Sequence, residues 1–203
     1  YATAEEFFDY ALAHPGELNI ALTNVGTSGH IFSTMLKKVI GFDVNIIHFG
    51  TATDCITAVM GGEVDASFET VNACVEGHNS GLLKILATAT VEPVDILNGV
   101  PGLAEVIPEM ADYLPWGAYF GLYASSDVPE ERIKVVADAL ERCIELDSWK
   151  EYADNLFITT IGLTGDEAGE YIKEWTAQTC YLMYDAGAAI NNPADFGIER
   201  PSD

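Results

Sequence analysis

Three short apolar runs, "LNIAL", "VNIIHF" and "VDASFE", lie between Leu18 and Glu69, and each gives way to a turn of small polar residues before an amphipathic helical pattern begins. Strands separated by helices cannot pair as tight hairpins. They line up in parallel, with the helices packed over the sheet. That alternation is the strongest constraint on the chain. It predicts an α/β fold with a mainly parallel sheet covered on both faces.

Helix signals frame the strands. "TAEEFFDYALAHPG" has Thr3 as N-cap, acids in the first turn and a Pro-Gly stop. Thr27 to Val39 reads as a second helix and Thr53 to Met60 as a third, closed by Gly61 and Gly62. "LLKILATA" continues the alternation as a further strand. Glu92 to Pro115 carries four prolines and is expected to be a loop with one helical turn around Leu103 to Val106. "WGAYFGLYAS" reads as an aromatic strand. Beyond it, Pro129 to Leu146, "WKEYADNL" and "GDEAGEYIKEWTAQTCYLMYDAG" all read as helices, so a boundary is expected near Ser125. The Asn-, Pro- and Gly-rich close after Trp175 and its helix suggests an irregular tail.

Charge narrows the partners. Nine Lys and Arg face 32 Asp and Glu in 203 residues, a formal charge of −23, which repels nucleic acid and anionic membrane surfaces. Cys55, Cys74, Cys143 and Cys180 form no C-x-x-C pair or Cys/His cluster, which disfavours zinc and thioredoxin-like chemistry and leaves their redox state open. No uninterrupted apolar run of about 18 residues occurs. A helix that begins at once, with no leader or first strand before it, reads as the interior of a longer protein.

In open α/β sheets, ligands sit where strand ends feed helix N-termini. Here "TNVGTSGH" offers Gly26 and Gly29 for close backbone approach and Asn24, Thr27 and Ser28 as neutral donors. "HFGTATD" repeats the device with Gly50, Thr51, Ala52 and Thr53, and "SFETVN" brings Glu69, Thr70 and Asn72 to a third strand end. Each turn alone is also an ordinary helix start; their repetition favours a pocket for a small anion or polar solute. With no Lys or Arg in the turns, a carboxylate would be held by N–H dipoles and hydroxyls. Catalytic signals are weak. Ser28 and His30 lack the G-x-S-x-G elbow, His14, His48 and His78 have no ligand spacing, and Asp54 is a plausible N-cap.

Read in order, "HPGELNIALTNVGTSGH", "FGTATDCITAVMGGEVDASFET", "GLLKILATAT", "GVPGLAEV", "WGAYFGLYASSDVPEERIKVVADALE" and "IGLTGDEAGEYIKEW" resemble the substrate-binding proteins of tripartite tricarboxylate transporters, the Bug family of extracytoplasmic solute-binding proteins. The resemblance implies a type II periplasmic-binding-protein-like fold. Lobe two would be complete over residues 1–124, and lobe one would be represented only by its returning C-terminal helices and tail over 125–203. It implies no catalysis, no cofactor and no metal. It also implies a small organic acid or amino acid ligand, a membrane permease as partner, a periplasmic or extracytoplasmic location with room for a lipid anchor upstream of Tyr1, and an oligomer if the chain truly lacks its N-terminal lobe. By position, Thr23, Asn24, Gly26, Thr27 and Ser28 inherit one ligand contact, Phe49, Gly50, Thr51, Ala52 and Thr53 the second, with Glu69 and Thr70 nearby. Where the family often has Tyr-Lys-Gly-Gly-Ala-Pro, this chain has Gly50 at the Lys position and Asp54 at the Pro position. Losing a base and adding an acid suits a ligand that also carries an amine. The alternatives are a sensory or other-class binding domain of the same fold and an α/β hydrolase-type enzyme.

Overall fold

A computed structural model of the chain describes residues 1–94, 97 and 99–201. It divides into two compact units: Tyr1–Ala118 with Leu182–Ile190, and Tyr119–Tyr181 with the residues from Asn191 onward.

The first unit holds the sheet. Helix α1 (Ala4–Ala13) starts where the Thr3 hydroxyl accepts the Glu6 N–H at 3.2 Å. Its apolar stripe of Ala4, Phe7, Phe8 and Ala11 has helical spacing and is buried. Strand β1 (Asn19–Leu22) is followed by α2 (Ser28–Ile40), β2 (Asn45–His48), α3 (Ala52–Gly61), β3 (Ala66–Ser67) and α4 (Val71–Asn79). The strands are parallel in the order β2-β1-β3, with Ile20 opposite Ile46 on one side and Ala66 on the other.

Strand β1 is the centre of the core. Ile20, Ala21 and Leu22 are fully buried, with Met35, Leu36 and Phe42. Each larger one of these side chains contributes roughly 1.5–3 kcal/mol by leaving water. Helix α3 packs Cys55 and Ala58 against Ala21 and Val64. Phe7, Phe8, Phe42, Phe68, Phe32 and Trp116 form a continuous aromatic run with centroid separations of 5.2 to 6.0 Å, the range in which ring pairs attract beyond simple burial.

Three expectations fail. "LLKILATA" forms no strand; its backbone donors are committed elsewhere, Leu82 and Leu83 N–H to the Gly77 carbonyl and Ile85 N–H to His78 Nδ1, and only Thr88 makes a bridge, to Gly102. "WGAYFGLYAS" forms none either. A strand needs a neighbouring edge, and of this stretch only the Trp116 N–H reaches one, the Ala89 carbonyl, while Phe120, Leu122 and Tyr123 stand 87%, 70% and 69% exposed. Nor is the sheet covered throughout: β2 is an edge strand whose residues are all exposed.

The loop after residue 91 carries the expected helical turn, α5 (Leu103–Val106), followed by a 3₁₀ turn at Pro108–Tyr113; Asp95, Ile96 and Asn98 of that loop lie outside the described residues. The second unit is helical, with α6 (Glu130–Ile144), α7 (Asp147–Asn155) and most of α8 (Gly165–Asp185). No residue of α6 is buried, and its Val135 and Val136 are exposed. The tail has one 3₁₀ turn, Pro193–Phe196, and is tied to α8 by the Tyr181 hydroxyl donating to the Ile198 carbonyl at 2.9 Å and by Arg200 over the Tyr181 ring. Ser202 and Asp203 lie outside the described residues.

Gly29 sets how closely α2 approaches the sheet. A Cβ there would stand 2.6 Å from the Phe68 carbonyl oxygen and 3.1 Å from Leu22 Cδ2. Overpacking of this kind costs about 1–3 kcal/mol, more than the at most about 1 kcal/mol that alanine gains in helix propensity. Gly29→Ala should therefore lower the urea unfolding free energy by about 1 kcal/mol or more.

Candidate functional site

The order β2-β1-β3 sets the three carboxyl-end turns side by side, at the point where the chain leaves β1 for one neighbour and returns to the other. Cross-links hold them there. His48 Nδ1 donates to the Thr23 carbonyl at 2.6 Å and ties the second turn to the first. Ser67 Oγ donates to the Ala21 carbonyl at 2.8 Å and ties the third strand to the first.

Hydrogen bonds divide the expected site residues into two sets. Thr23, Thr27 and Thr51 build the turns. Thr23 Oγ1 donates to Thr27 Oγ1 at 3.0 Å, which donates to the Asn24 carbonyl at 2.7 Å. Thr51 Oγ1 donates to Asp54 Oδ2 at 2.8 Å and accepts the Asp54 N–H at 3.2 Å. Gly26, at φ +83°, takes the left-handed conformation that glycine tolerates best. Phe49 packs against the α3 core, and its N–H donates to the Leu22 carbonyl. Gly50 precedes the cap, and Ala52 is the first residue of α3. The polar side-chain groups of Asn24, Ser28, Thr53 and Thr70 take part in none of these bonds.

The helix starts differ in the same way. Thr27 caps α2 by position only, its hydroxyl being turned back into the loop, so the first N–H groups of α2 have no side-chain acceptor. Thr70 likewise makes no side-chain cap on α4. The start of α3 is closed, because Thr51 is its N-cap and Asp54, read from the sequence as a cap itself, sits inside the first turn. A carboxylate there already occupies the positive end of the helix dipole. The start of α2 is thus open to an acceptor, whereas that of α3 is already occupied.

Glu69 stands half-buried at the end of β3, 3.5 Å from Ser67 Oγ. Burial raises its carboxyl above the ordinary carboxylate range, against the lowering effect of hydrogen bonds from Cys55 and Ser67. Burial pushes the Cys55 and Cys74 thiols up to about 11, so both are protonated at neutral pH. All four cysteines are free. Among the described residues no group of three His, Cys, Asp or Glu converges on a metal position, and no helix is long and apolar enough to cross a membrane.

Two histidines with no catalytic or metal-ligand spacing in the sequence, His30 and His48, hold the first turn. His30 Nδ1 accepts the Gly26 N–H at 3.2 Å, and the His30 and His48 rings lie 6.5 Å apart. With Nδ1 so engaged, His30 is not presented as a base to Ser28. Its position four residues after Gly26, at a helix start, was the available signal. Burial, and then the neighbouring His48, lower the pKa of His30 below the ordinary histidine value.

A protonated Nδ1 cannot accept the Gly26 N–H. Because the unfolded chain binds this proton more readily than the folded one, stability attributable to His30 is complete above the ordinary value of about 6.5 and is lost as pH falls from there toward the depressed folded value. The difference in unfolding free energy between the native chain and His30→Phe should therefore move against the native chain as pH falls through that window, which denaturation at a series of pH values will measure.

Residues 1–183 match the family described as the tripartite tricarboxylate transporter family receptor. BugT of Bordetella pertussis is 30% identical over 179 residues, which are 88% of this chain and 54% of BugT. An R. palustris protein solved with adipate superposes with a TM-score of 0.76 at 16% identity, covering 92% of this chain and 62% of that one. A TctC solute binding protein from Polaromonas, solved without ligand, gives 0.72 at 20% identity, covering 91% and 62%. At these identities the two structures establish the fold, which is that of the TctC solute-binding proteins. The chain spans little more than half the length of BugT.

Proposed function

The chain belongs to the tripartite tricarboxylate transporter receptor family, whose members are receptors rather than enzymes, and from that premise we propose that it is the ligand-holding part of an extracytoplasmic solute receptor that delivers a small carboxylate to a membrane permease. Residues 1–124 serve as one lobe and 125–203 as the returning helices of the other. The exposed Val135 and Val136 of α6 and the unpaired aromatic stretch at Phe120 to Tyr123 support that division, since they are apolar surfaces with no counterpart among the described residues.

One observation carries the choice of ligand. The uncapped start of α2 lies between two turns that each bear an acid, Asp54 and Glu69, and no Lys or Arg occurs in any of the three turns. Such a site draws a carboxylate to the α2 N–H groups and Ser28 and disfavours a second carboxylate on either flank. An amino acid meets both demands, its ammonium facing Glu69 or Asp54. A dicarboxylate is the second reading, favoured by the R. palustris relative solved with adipate.

Thermal unfolding of the chain against aspartate, glutamate, neutral amino acids, succinate, adipate and citrate separates the two. A ligand at about 100 times its dissociation constant adds about 2.7 kcal/mol, several degrees for a protein of this size. The shift should be larger with an amino acid than with the dicarboxylate of equal length and should vanish in Ser28→Leu. Shifts with dicarboxylates alone would remove the ammonium from the reading and leave the receptor; no shift with any carboxylate would overturn both.

A further inference from the structure

A second concave site lies at the other end of the sheet. Helix α2 starts at the candidate turns and runs its 13 residues, about 20 Å, before reaching Ile40. Ile40 helps line a cavity of about 350 Å³ that none of the turn residues touches. Its apolar wall is Phe8 and Leu12 of α1, Ile40 of α2, Val106 at the end of α5, and Ile107 just beyond it. Phe8 and Ile107 are buried and give it a firm floor, whereas Leu12 is 46% exposed at the lip. The volume is at the small end of what ligand sites enclose.

The rim is entirely acidic. Glu5 and Asp9 come from α1 and Glu109 from the 3₁₀ turn, and no Lys or Arg is among the lining residues. Glu5, Phe8, Asp9 and Leu12 fall at helical spacing, so α1 presents its apolar and acidic side chains together along one edge. The basic residues nearest in sequence to Ile40 are engaged elsewhere: Lys37 is paired with Asp43 at 2.7 Å, and Lys38 Nζ donates to the Asp185 carbonyl. Among the described residues Glu5, Asp9 and Glu109 form no ion pair, and all three are exposed above the apolar floor.

We propose that this groove is a docking surface for a cationic segment of a partner protein, one that inserts a large apolar side chain between α1 and α5 and sets Lys or Arg against Glu5, Asp9 and Glu109. The pairing of apolar floor with one-signed rim selects such a segment by its chemistry. An apolar anchor supplies the buried contact, and rim charges supply steering and orientation. An acidic or neutral segment would leave three like charges uncompensated. The proposal is independent of the solute held at the turns, because the two sites lie at opposite ends of α2.

A fluorescent peptide of Leu-Lys-Lys-Leu repeats, titrated with the full chain at about 0.15 M salt, where charges are screened beyond about 8 Å, tests it by anisotropy. The control for diffuse attraction to an acidic protein is Glu130→Gln, Glu131→Gln, Glu167→Gln, which removes the same charge from α6 and α8. Saturable binding is expected, weakened about tenfold or more by Glu5→Gln, Asp9→Asn, Glu109→Gln and by Leu12→Ser alone, and unaltered by the control. Equal weakening by both triple variants, binding indifferent to Leu12→Ser, or no saturable binding would each overturn the proposal. All substituted residues except Glu109 lie on α-helices, so circular dichroism of each variant separates lost folding from lost binding.

Discussion

The pairing of β1 on both of its edges is the constraint on which everything else in the first unit rests. A four-residue strand with neighbours on each side has its backbone polar groups taken up by the sheet, so its three apolar side chains can go fully into the core without leaving donors stranded. The same pairing decides where the turns go. Because β2 and β3 are both parallel to β1, all three chain exits occur at one end, and segments separated by more than forty residues in sequence become neighbours. Gly29 then lets α2 settle against the Phe68 carbonyl, so the helix start is delivered to the strand ends rather than held away from them.

Within the site, the division between residues that build and residues that remain available follows from local chemistry. Threonine hydroxyls close to a turn satisfy the backbone and each other first, as Thr23, Thr27 and Thr51 do, because those partners are fixed and near. Outside that turn-building set stand the start of α2, Ser28, Asn24, Thr53 and Thr70, the groups to which the proposed function assigns the solute. Asp54 and Glu69 give that residue set its sign. One acid occupies the start of α3, and the other is half-buried with a raised pKa, which makes the site asymmetric toward charge. The family's receptor character and this asymmetry are separate facts: the first comes from kinship over residues 1–183, the second from where this fold places Asp54 and Glu69.

Much of the architecture was legible in local pattern. The Thr3 cap with its apolar stripe, the glycine that ends α3, the helical turn at Leu103 to Val106 and the long α6 all rest on interactions within a few residues, and they occur where the pattern put them. Strand assignment was reliable only where a partner existed. "LLKILATA" and "WGAYFGLYAS" have strand-like composition, but β propensity describes how a side chain suits a pleated surface and does not supply the neighbouring backbone. In the first case α4 and His78 take the donors; in the second Phe120, Leu122 and Tyr123 stand in solvent.

The sequence by itself therefore determined the α/β class, the family and the three turns where a solute is to be sought, because helix caps, glycine turns and apolar periodicity act over short range. Only the tertiary structure decided that Thr51 rather than Asp54 caps α3, that His30 and His48 brace the first turn, and that an acid-rimmed groove forms at the far end of α2. Each of these depends on which atoms a fold brings within hydrogen-bond or van der Waals reach. Spacing along the chain does not specify that reach until strands have paired and helices have packed.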